Sequence, residues 1–147
     1  MTVPSVGSNR EPQLQMRAKV ASWNIHSIAE KRNELGMYLH KNGIDVIALQ
    51  ETWRTVDQWP LRLKGFNVFE SVAEKGIQGR NGVALCVRNT LVAYEIGNVS
   101  PYVVTARLLV GVAEWTIMSI YVPPKGGRSD RPFFISYFSV FLGTFKT

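Results

Sequence analysis

Two polar residues near the amino terminus stand where they could hold a cation. Asn24 lies within SWNIHS, between Trp23 and Ile25, and Glu51 follows the apolar run DVIALQ. Asparagine is depleted in strands, so Asn24 is either a buried amide that bonds the neighbouring backbone or a ligand. Glu51 alone would be a solvated strand end. If the two strands are parallel neighbours, both side chains meet at one edge of the sheet, where carboxylate and amide oxygens suit Mg²⁺ or Mn²⁺.

Other catalytic motifs are incomplete. The glycines of GIQGRNG are spaced by three, but no Gly-Lys-Ser/Thr follows them, so a P-loop is not indicated. Two histidines, His26 and His40, and a single cysteine argue against a zinc site. No Gly-x-Ser-x-Gly elbow occurs, which argues against an esterase-type hydrolase. Tyr121 ends the apolar run SIYV before two prolines, as an aromatic cap on the core or as part of a site.

Composition limits the number of domains, the type of partner and the compartment that can be expected. The 147 residues are 46% hydrophobic and 19% charged, which suits one globular domain. The 17 basic and 11 acidic residues give a net charge of +6, which favours nucleic acid or, less often, an anionic membrane as partner. Cys86, inside VALCV, is expected to be a small buried hydrophobe in a reducing compartment.

The two ends of the chain differ in character. Residues 1–16 have no apolar signal region and are expected to be a disordered polar lead, with the domain at 17–147. No run approaches the ~20 apolar residues that cross a bilayer. The expected location is therefore intracellular, nuclear or cytoplasmic, with no signal peptide.

Hydrophobic periodicity predicts the elements that position these residues. KVASWNI is a strand, AEKRNELGMYLHKNG a helix, and IDVIALQE a strand buried on both faces. FNVFES, VALCVRN, LVAYEIG, YVVTARLLV and EWTIMSIYV are further strands. In the tail, large apolar residues recur every four positions at Phe133, Tyr137, Phe141 and Phe145, which predicts an amphipathic helix packed on the sheet. The pattern favours an α/β or α+β fold with a largely antiparallel sheet.

Four stretches carry a resemblance to a known family. ASWNIHS, GIDVIALQETW, GRNGVALCVRN and WTIMSIYVPP resemble, in this order, the amino-terminal half of the endonuclease/exonuclease/phosphatase superfamily. The similarity is greatest to endonuclease domains of non-LTR retrotransposons and to AP endonucleases. It runs from about Lys19 to Pro124 and is expected to continue to Thr147. It implies a four-layered α/β sandwich, two sheets with helices outside, truncated to about its first half.

The resemblance also implies a chemistry. The family hydrolyses phosphate esters, including those of DNA, with a divalent cation that is usually Mg²⁺. By resemblance Glu51 binds the metal, and Asn24 helps to position the metal and the phosphate. Tyr121 matches the tyrosine that contacts the scissile phosphate. His26 is implied to reach metal or phosphate, and Arg107 to face DNA or to have a structural role.

Two later motifs of the family are missing. An Asp-x-Asn and a Ser-Asp-His supply the general base and stabilise the transition state, yet no aspartate follows Asp130 and no histidine follows His40. The expected function is thus a fragment of a Mg²⁺-dependent, retroelement-type DNA endonuclease, inactive alone and binding metal weakly if at all. A phosphoinositide or sphingolipid phosphatase fragment and a non-catalytic nucleic-acid-binding remnant remain as alternatives.

Overall fold

Two four-stranded sheets and one helix make up the described structure. The computed structural model describes residues 17–72, 81–97 and 100–122, and the backbone of 137–145. The predicted polar lead, 1–16, lies outside these residues. The elements are β1 (Val20–Asn24), α1 (Arg32–Lys41), β2 (Val46–Gln50), β3 (Phe66–Ser71), β4 (Val83–Arg88), β5 (Val92–Ile96), β6 (Val103–Val110), β7 (Ala113–Tyr121) and β8 (Tyr137–Phe145). The helix in the described part of the chain, α1, is not long and apolar enough to span a membrane.

The first sheet is mixed and has the order β1-β2-β4-β3. β1 and β2 run parallel, and the other two pairs are antiparallel. Every residue of β2 is buried, as its unbroken apolar run predicts. Leu35 and Leu39 of α1 pack with Ile47 and Leu49 of β2 in one hydrophobic core on the outer face of this sheet.

The apolar stripe of α1 is narrower than the sequence predicts. Leu35 and Leu39 are buried, but Met37 is 73% exposed and Tyr38 is 42% exposed. Met37 lies about 200° around the helix from Leu35 because successive residues turn by about 100°. The helix therefore covers the sheet with a single ridge and leaves an aromatic side chain half in solvent.

The second sheet is antiparallel and has the order β5-β6-β7-β8. Along β6, Val104, Ala106 and Leu108 are buried between the sheets, whereas Arg107 and Leu109 face outward. This alternation is expected of an antiparallel strand with one solvated face. The expectation of two packed sheets with a helix outside is confirmed, and the described residues form three of the four expected layers.

The tail is a strand and not a helix, so that prediction is wrong. Residues 137–145 form β8, which pairs with β7 in the register Tyr121↔Tyr137 through Ala113↔Phe145. A spacing of four is also a multiple of the two-residue strand repeat, so the same residues satisfy both patterns. The Tyr, Val, Thr and Phe content of the segment favours a strand. Phe133 lies outside the described residues.

Cys86 lies in the middle of β4 and is fully buried, as predicted. Burial raises the pKa of its thiol to about 12, and the charge of Glu70 adds to the shift. A thiol of this kind is protonated at neutral pH and acts as a packing residue.

Candidate functional site

The candidate site begins where the two parallel strands end. Asn24, the last residue of β1, is paired in register with Gln50, the last residue of β2, and Glu51 follows directly. β1 and β2 are therefore parallel neighbours, which is the arrangement that brings Asn24 and Glu51 to one edge of the sheet. Gln50 follows Val46 and Ala48 at two-residue spacing, and both of these lie in the core between the sheets. Its register partner Asn24 shares that face. We call this edge, residues 24–28 and 50–53, the strand-end edge.

Backbone hydrogen bonds continue past the ends of both strands. The amides of residues 25, 27 and 28 donate to the carbonyls of residues 50, 51 and 52 at 3.0, 2.9 and 3.1 Å. The four non-glycine residues with positive φ in the described part of the chain all lie at this edge: His26 (47°), Ser27 (77°), Glu51 (53°) and Trp53 (57°). Such conformations persist only where the surroundings fix them, and they concentrate at functional sites.

His26 and Glu51 are in direct contact. His26 Nδ1 lies 2.9 Å from Glu51 Oε2, with side-chain exposures of 62% and 12%. The imidazole also meets Trp53 edge-on, with ring centroids 6.5 Å apart. A proton on Nδ1 donates to the carboxylate whether the ring is neutral or charged. The contact thus orients the carboxylate and leaves its second oxygen for another partner.

A lysine that the sequence analysis did not single out adds a positive charge at the strand-end edge. Lys31, just before α1, donates from Nζ to the carbonyl of Ile25 and, at 3.4 Å, to that of His26. Its position is a consequence of the turn that leads into the helix. The sequence signal was weak because EKRNE is also an ordinary solvated helix start.

A buried amide ties the two sheets together beneath this edge. Gln50 Nε2 donates to Ser119 Oγ at 3.1 Å and to Ser22 Oγ at 3.3 Å. Ser119 Oγ in turn donates to the carbonyl of Leu49 at 3.0 Å. Gln50 and Ser119 are fully buried, so each needs these bonds to offset desolvation. Residues 69 or 70 apart in sequence form this contact, and no local pattern predicts it.

Tyr121 reaches the same edge from the second sheet. Its amide donates to the carbonyl of Tyr102 at 3.0 Å. Ser71 Oγ donates to the neighbouring carbonyl of Pro101 at 2.9 Å, and Ser71 shares a register row with Val83 and Gln50. The Tyr121 side chain is only 5% exposed and lies in the core between the sheets. The structure therefore places it behind the edge, packed as a core cap.

Arg107 lies elsewhere. It is four residues from the start of β6, or about 13 Å along the strand, and faces outward from the second sheet. Its Nη1 lies 2.8 Å from Glu114 Oε1, and its side chain is 48% exposed. A hydrogen bond with Tyr94 and the charge of Glu114 raise the pKa of the guanidinium. The predicted role of Arg107 at DNA stays a prediction.

A third segment closes the strand-end edge on its other side. The amide of Thr52 donates to the carbonyl of Gly82 at 3.1 Å, and that of Trp53 to Asn81 at 2.9 Å. Gly82 has a φ of +98°, and a Cβ at this position would lie 2.3 Å from Thr52 Oγ1. The glycine is therefore required both by its backbone conformation and by this close approach.

A cavity of 400 Å³ opens beside the edge. Thr52, Trp53, Arg32 and Asn33 are among its lining residues. The Thr52 hydroxyl is buried and has no hydrogen-bond partner among the described residues. A larger groove, of 1410 Å³, lies along α1 and not at this edge.

The donor set at the edge fits a small hard cation. No group of three or more His, Cys, Asp or Glu side chains that could hold a metal occurs among the described residues. Mg²⁺ needs fewer protein ligands than that, because it keeps several waters and takes one or two carboxylates. Glu51 supplies a carboxylate, Asn24 an amide, and the unpartnered hydroxyl of Thr52 could bond a coordinated water.

Comparisons with known proteins agree with the resemblance drawn from the motifs. Residues 21–135 match the Endonuclease/Exonuclease/phosphatase family. The endonuclease domain of TRAS1, a telomere-specific non-LTR retrotransposon, has a similar structure: the TM-score is 0.58 at 20% identity, over 74% of this chain and 48% of that one. An AP endonuclease from Archaeoglobus fulgidus gives 0.50 at 23% identity, over 63% of this chain and 37% of that one.

A third similar structure is the AP endonuclease LMAP from Leishmania major, with a TM-score of 0.51 at 19% identity, over 62% of this chain and 35% of that one. At these identities the likeness shows the fold. The chain spans less than half the length of each of these three structures. No curated protein matches the sequence.

Proposed function

The chain belongs to the endonuclease/exonuclease/phosphatase family, and from that premise we propose that its strand-end edge is part of the active site of a divalent-cation-dependent phosphodiester hydrolase acting on DNA. One observation carries the proposal. Parallel pairing brings Asn24 and Glu51 to one edge, with His26 Nδ1 2.9 Å from the Glu51 carboxylate. The likeness to a retrotransposon endonuclease and to AP endonucleases supports DNA as the substrate. We propose a nuclear or cytoplasmic location, where such a substrate would be available.

The edge would hold the cation through few protein atoms. Mg²⁺ or Mn²⁺ would offset the negative charge that grows on the phosphoryl oxygens during hydrolysis. Glu51 would bind it through the oxygen that His26 does not contact, and Asn24 through its amide oxygen or a bound water. With one carboxylate at the site, affinity is expected to be weak.

Three further side chains would act on the phosphate. Lys31 keeps a positive charge at the edge through its bonds to the carbonyls of Ile25 and His26. His26, 62% exposed, would as the imidazolium donate from Nε2 to a phosphate oxygen while its Nδ1–H donates to the carboxylate. Tyr121, 5% exposed in the core between the sheets, would form the back wall of the site and contact the phosphate from there, as the resemblance implies. Arg107 would contact DNA away from the reacting group.

Activation of water needs a group that these residues do not provide. Neither an Asp-x-Asn nor a Ser-Asp-His occurs in the 147 residues. Catalytic groups that act as a unit lose nearly all activity when one is removed. We therefore propose that the 147 residues bind cation and phosphate but do not complete hydrolysis alone.

Nicking of supercoiled plasmid tests whether the 147 residues need further catalytic groups to complete hydrolysis. The 147-residue chain alone is expected to give no nicking in Mg²⁺ or Mn²⁺. Fused to the carboxy-terminal half of the TRAS1 endonuclease domain it should nick, and Glu51→Gln should abolish the activity while His40→Gln leaves it intact. Nicking by the fusion that survives Glu51→Gln would contradict the proposed site. Nicking by the chain alone that is lost on Glu51→Gln would contradict the requirement for further groups.

The same fusion separates the alternative functions. A phosphoinositide or sphingolipid phosphatase would release phosphate from an inositol headgroup and leave plasmid uncut. A non-catalytic remnant would bind DNA but neither nick plasmid nor release phosphate. We expect nicking without release of inorganic phosphate.

A further inference from the structure

A basic groove lies on the outer face of the first sheet. It has a volume of 1410 Å³ and is bounded by α1 on one side and by residues 62–66 on the other. Four cationic side chains and one acidic side chain line it: Arg32, Lys41, Arg62 and Lys64 against Glu34. Arg32 and Lys41 stand at opposite ends of α1, about 14 Å apart along the helix axis. The groove therefore extends along the helix from Arg32, which also lines the cavity beside the strand-end edge, to Lys41.

The charges of the basic groove are not neutralised within the protein. Three arginines elsewhere in the described part of the chain are paired with carboxylates: Arg54 with Glu70, Arg88 with Asp45, and Arg107 with Glu114. None of the four groove cations forms an ion pair with a described residue, and all four are exposed. A concave surface with unneutralised cations attracts a polyanion.

Core packing fixes two of these cations in place. In the segment LRLKG, Leu61 and Leu63 belong to the hydrophobic core under α1, so Arg62 between them and Lys64 after them are exposed on the opposite side. The amide of Leu61 donates to Glu70 Oε1 at 3.1 Å, which anchors the start of the segment. The two charges are thus presented by an ordered backbone and need little further ordering when a ligand binds.

An aromatic surface lies between the cations. Tyr38 of α1 is 42% exposed, and its ring is tilted against that of Trp23 with centroids 6.2 Å apart. Both residues line the groove. Cations that alternate with exposed aromatic rings suit single-stranded nucleic acid, whose phosphates bind the charges while its bases stack on the rings. An acidic peptide would use the charges but not the ring face, and a membrane surface is not concave.

We propose that the basic groove binds single-stranded nucleic acid, with Arg62 and Lys64 on the phosphates and Tyr38 stacked on a base. The inference goes beyond the proposed hydrolysis and does not depend on it. Binding here requires no divalent cation and no contribution from Glu51.

Fluorescence anisotropy with a labelled oligothymidylate of about 12 nucleotides tests the charges. The measurement is made in EDTA on the 147-residue chain between about 50 and 200 mM salt. The double variant Arg62→Ala/Lys64→Ala is expected to bind about tenfold more weakly, with a salt slope smaller by about 1.4, or about 0.7 for each lost phosphate contact. Lys19→Ala, which removes an exposed lysine that does not line the groove, should bind as the unchanged chain does.

A pair of variants at one position tests the stacking. Tyr38→Ala is expected to weaken binding at least about fivefold, whereas Tyr38→Phe keeps the ring and should bind normally. Glu51→Gln should bind normally too, so failure of this proposal and failure of the catalytic proposal give different results.

Three outcomes would overturn the proposal. One is unchanged affinity and salt slope in the double variant, checked as folded by circular dichroism or replaced by Arg62→Gln/Lys64→Gln if the alanine version unfolds. Another is an equal loss in Lys19→Ala. The third is tighter binding to phosphatidylserine vesicles than to the oligonucleotide through the same two residues, which would assign the groove to a lipid surface.

Discussion

Two acid–base pairs of this protein look alike by distance and burial and differ in everything around them. His26 Nδ1 lies 2.9 Å from Glu51, and Arg107 Nη1 lies 2.8 Å from Glu114. Each carboxylate is 12% exposed. The first pair follows two parallel strands, where the backbone of both His26 and Glu51 has positive φ. The second joins residues within the regular antiparallel ladder of β6 and β7.

The difference lies in what holds each pair. Arg107 and Glu114 need only an ordinary strand register, and water can replace the half-exposed guanidinium of Arg107. His26 and Glu51 sit on strained backbone that is held by bonds between residues 25–28 and 50–52 and, from the other side, by Gly82. Maintained strain of this kind indicates a side-chain arrangement with a use beyond stability. A short ion pair alone does not distinguish a site from a surface contact.

Loss of the buried side chain of Arg54, near the strand-end edge, should reduce stability the most. Arg54 bonds Glu70 through Nε at 2.8 Å, with side chains only 7% and 15% exposed, and it also bonds the carbonyl of Trp59. Arg54→Ala removes the counter-charge of the Glu70 carboxylate and leaves it only the amide of Leu61, so the free energy of unfolding should fall by about 3–5 kcal/mol. Urea denaturation followed by circular dichroism measures it. Arg107→Ala is the matched control, with no measurable shift of the midpoint; equal midpoints for both variants would remove the contrast between the two regions.

The next largest loss of stability is expected from replacing Gly82, which lies against Thr52 at the strand-end edge. Gly82→Ala forces a φ of +98° on alanine and a clash with Thr52 Oγ1, which should cost about 3 kcal/mol. Gly43 also has positive φ, at +58°, but nothing lies within 4 Å of a Cβ there. Gly43→Ala should therefore cost only about 1 kcal/mol in the same measurement, the penalty of the left-handed conformation alone. A smaller loss at Gly82 than at Gly43 would show that the edge relaxes easily and is not fixed by its neighbours.

The sequence predicts β1 to β7 and α1, because local apolar patterns together with turn signals are enough to assign each of them. β2 is an unbroken apolar run, and β6 alternates. The tail of Phe and Tyr residues was misassigned because a spacing of four fits a helix and a strand equally, and the pairing partner decides. Asn24 and Glu51 could be found because each interrupts an apolar pattern. Lys31, Gln50 and Ser119 could not, because their roles depend on contacts between distant segments.

A smaller loss of stability is expected when the hydrogen bonds of Ser119, which join the two sheets, are removed. Ser119→Ala removes a buried donor to the Leu49 carbonyl and an acceptor for Gln50, so the free energy of unfolding should fall by about 1–2 kcal/mol. Ser22 also contacts Gln50, at 3.3 Å, but is exposed. Water can replace its hydroxyl, and Ser22→Ala should cost less than about 0.5 kcal/mol. Equal losses in the two variants, compared in urea, would mean that burial does not set the strength of this network.

Paramagnetic broadening by Mn²⁺ tests most directly whether the strand-end edge, and not the second ion pair, is a cation site. In an NMR titration of the 147-residue chain, low concentrations of Mn²⁺ should broaden the amide signals of Asn24, Ile25 and Glu51 first and leave those of Arg107 and Glu114 sharp. Glu51→Gln should abolish the selective broadening, and Glu114→Gln should preserve it. Equal broadening at both carboxylates, or broadening at the edge that survives Glu51→Gln, would contradict the account.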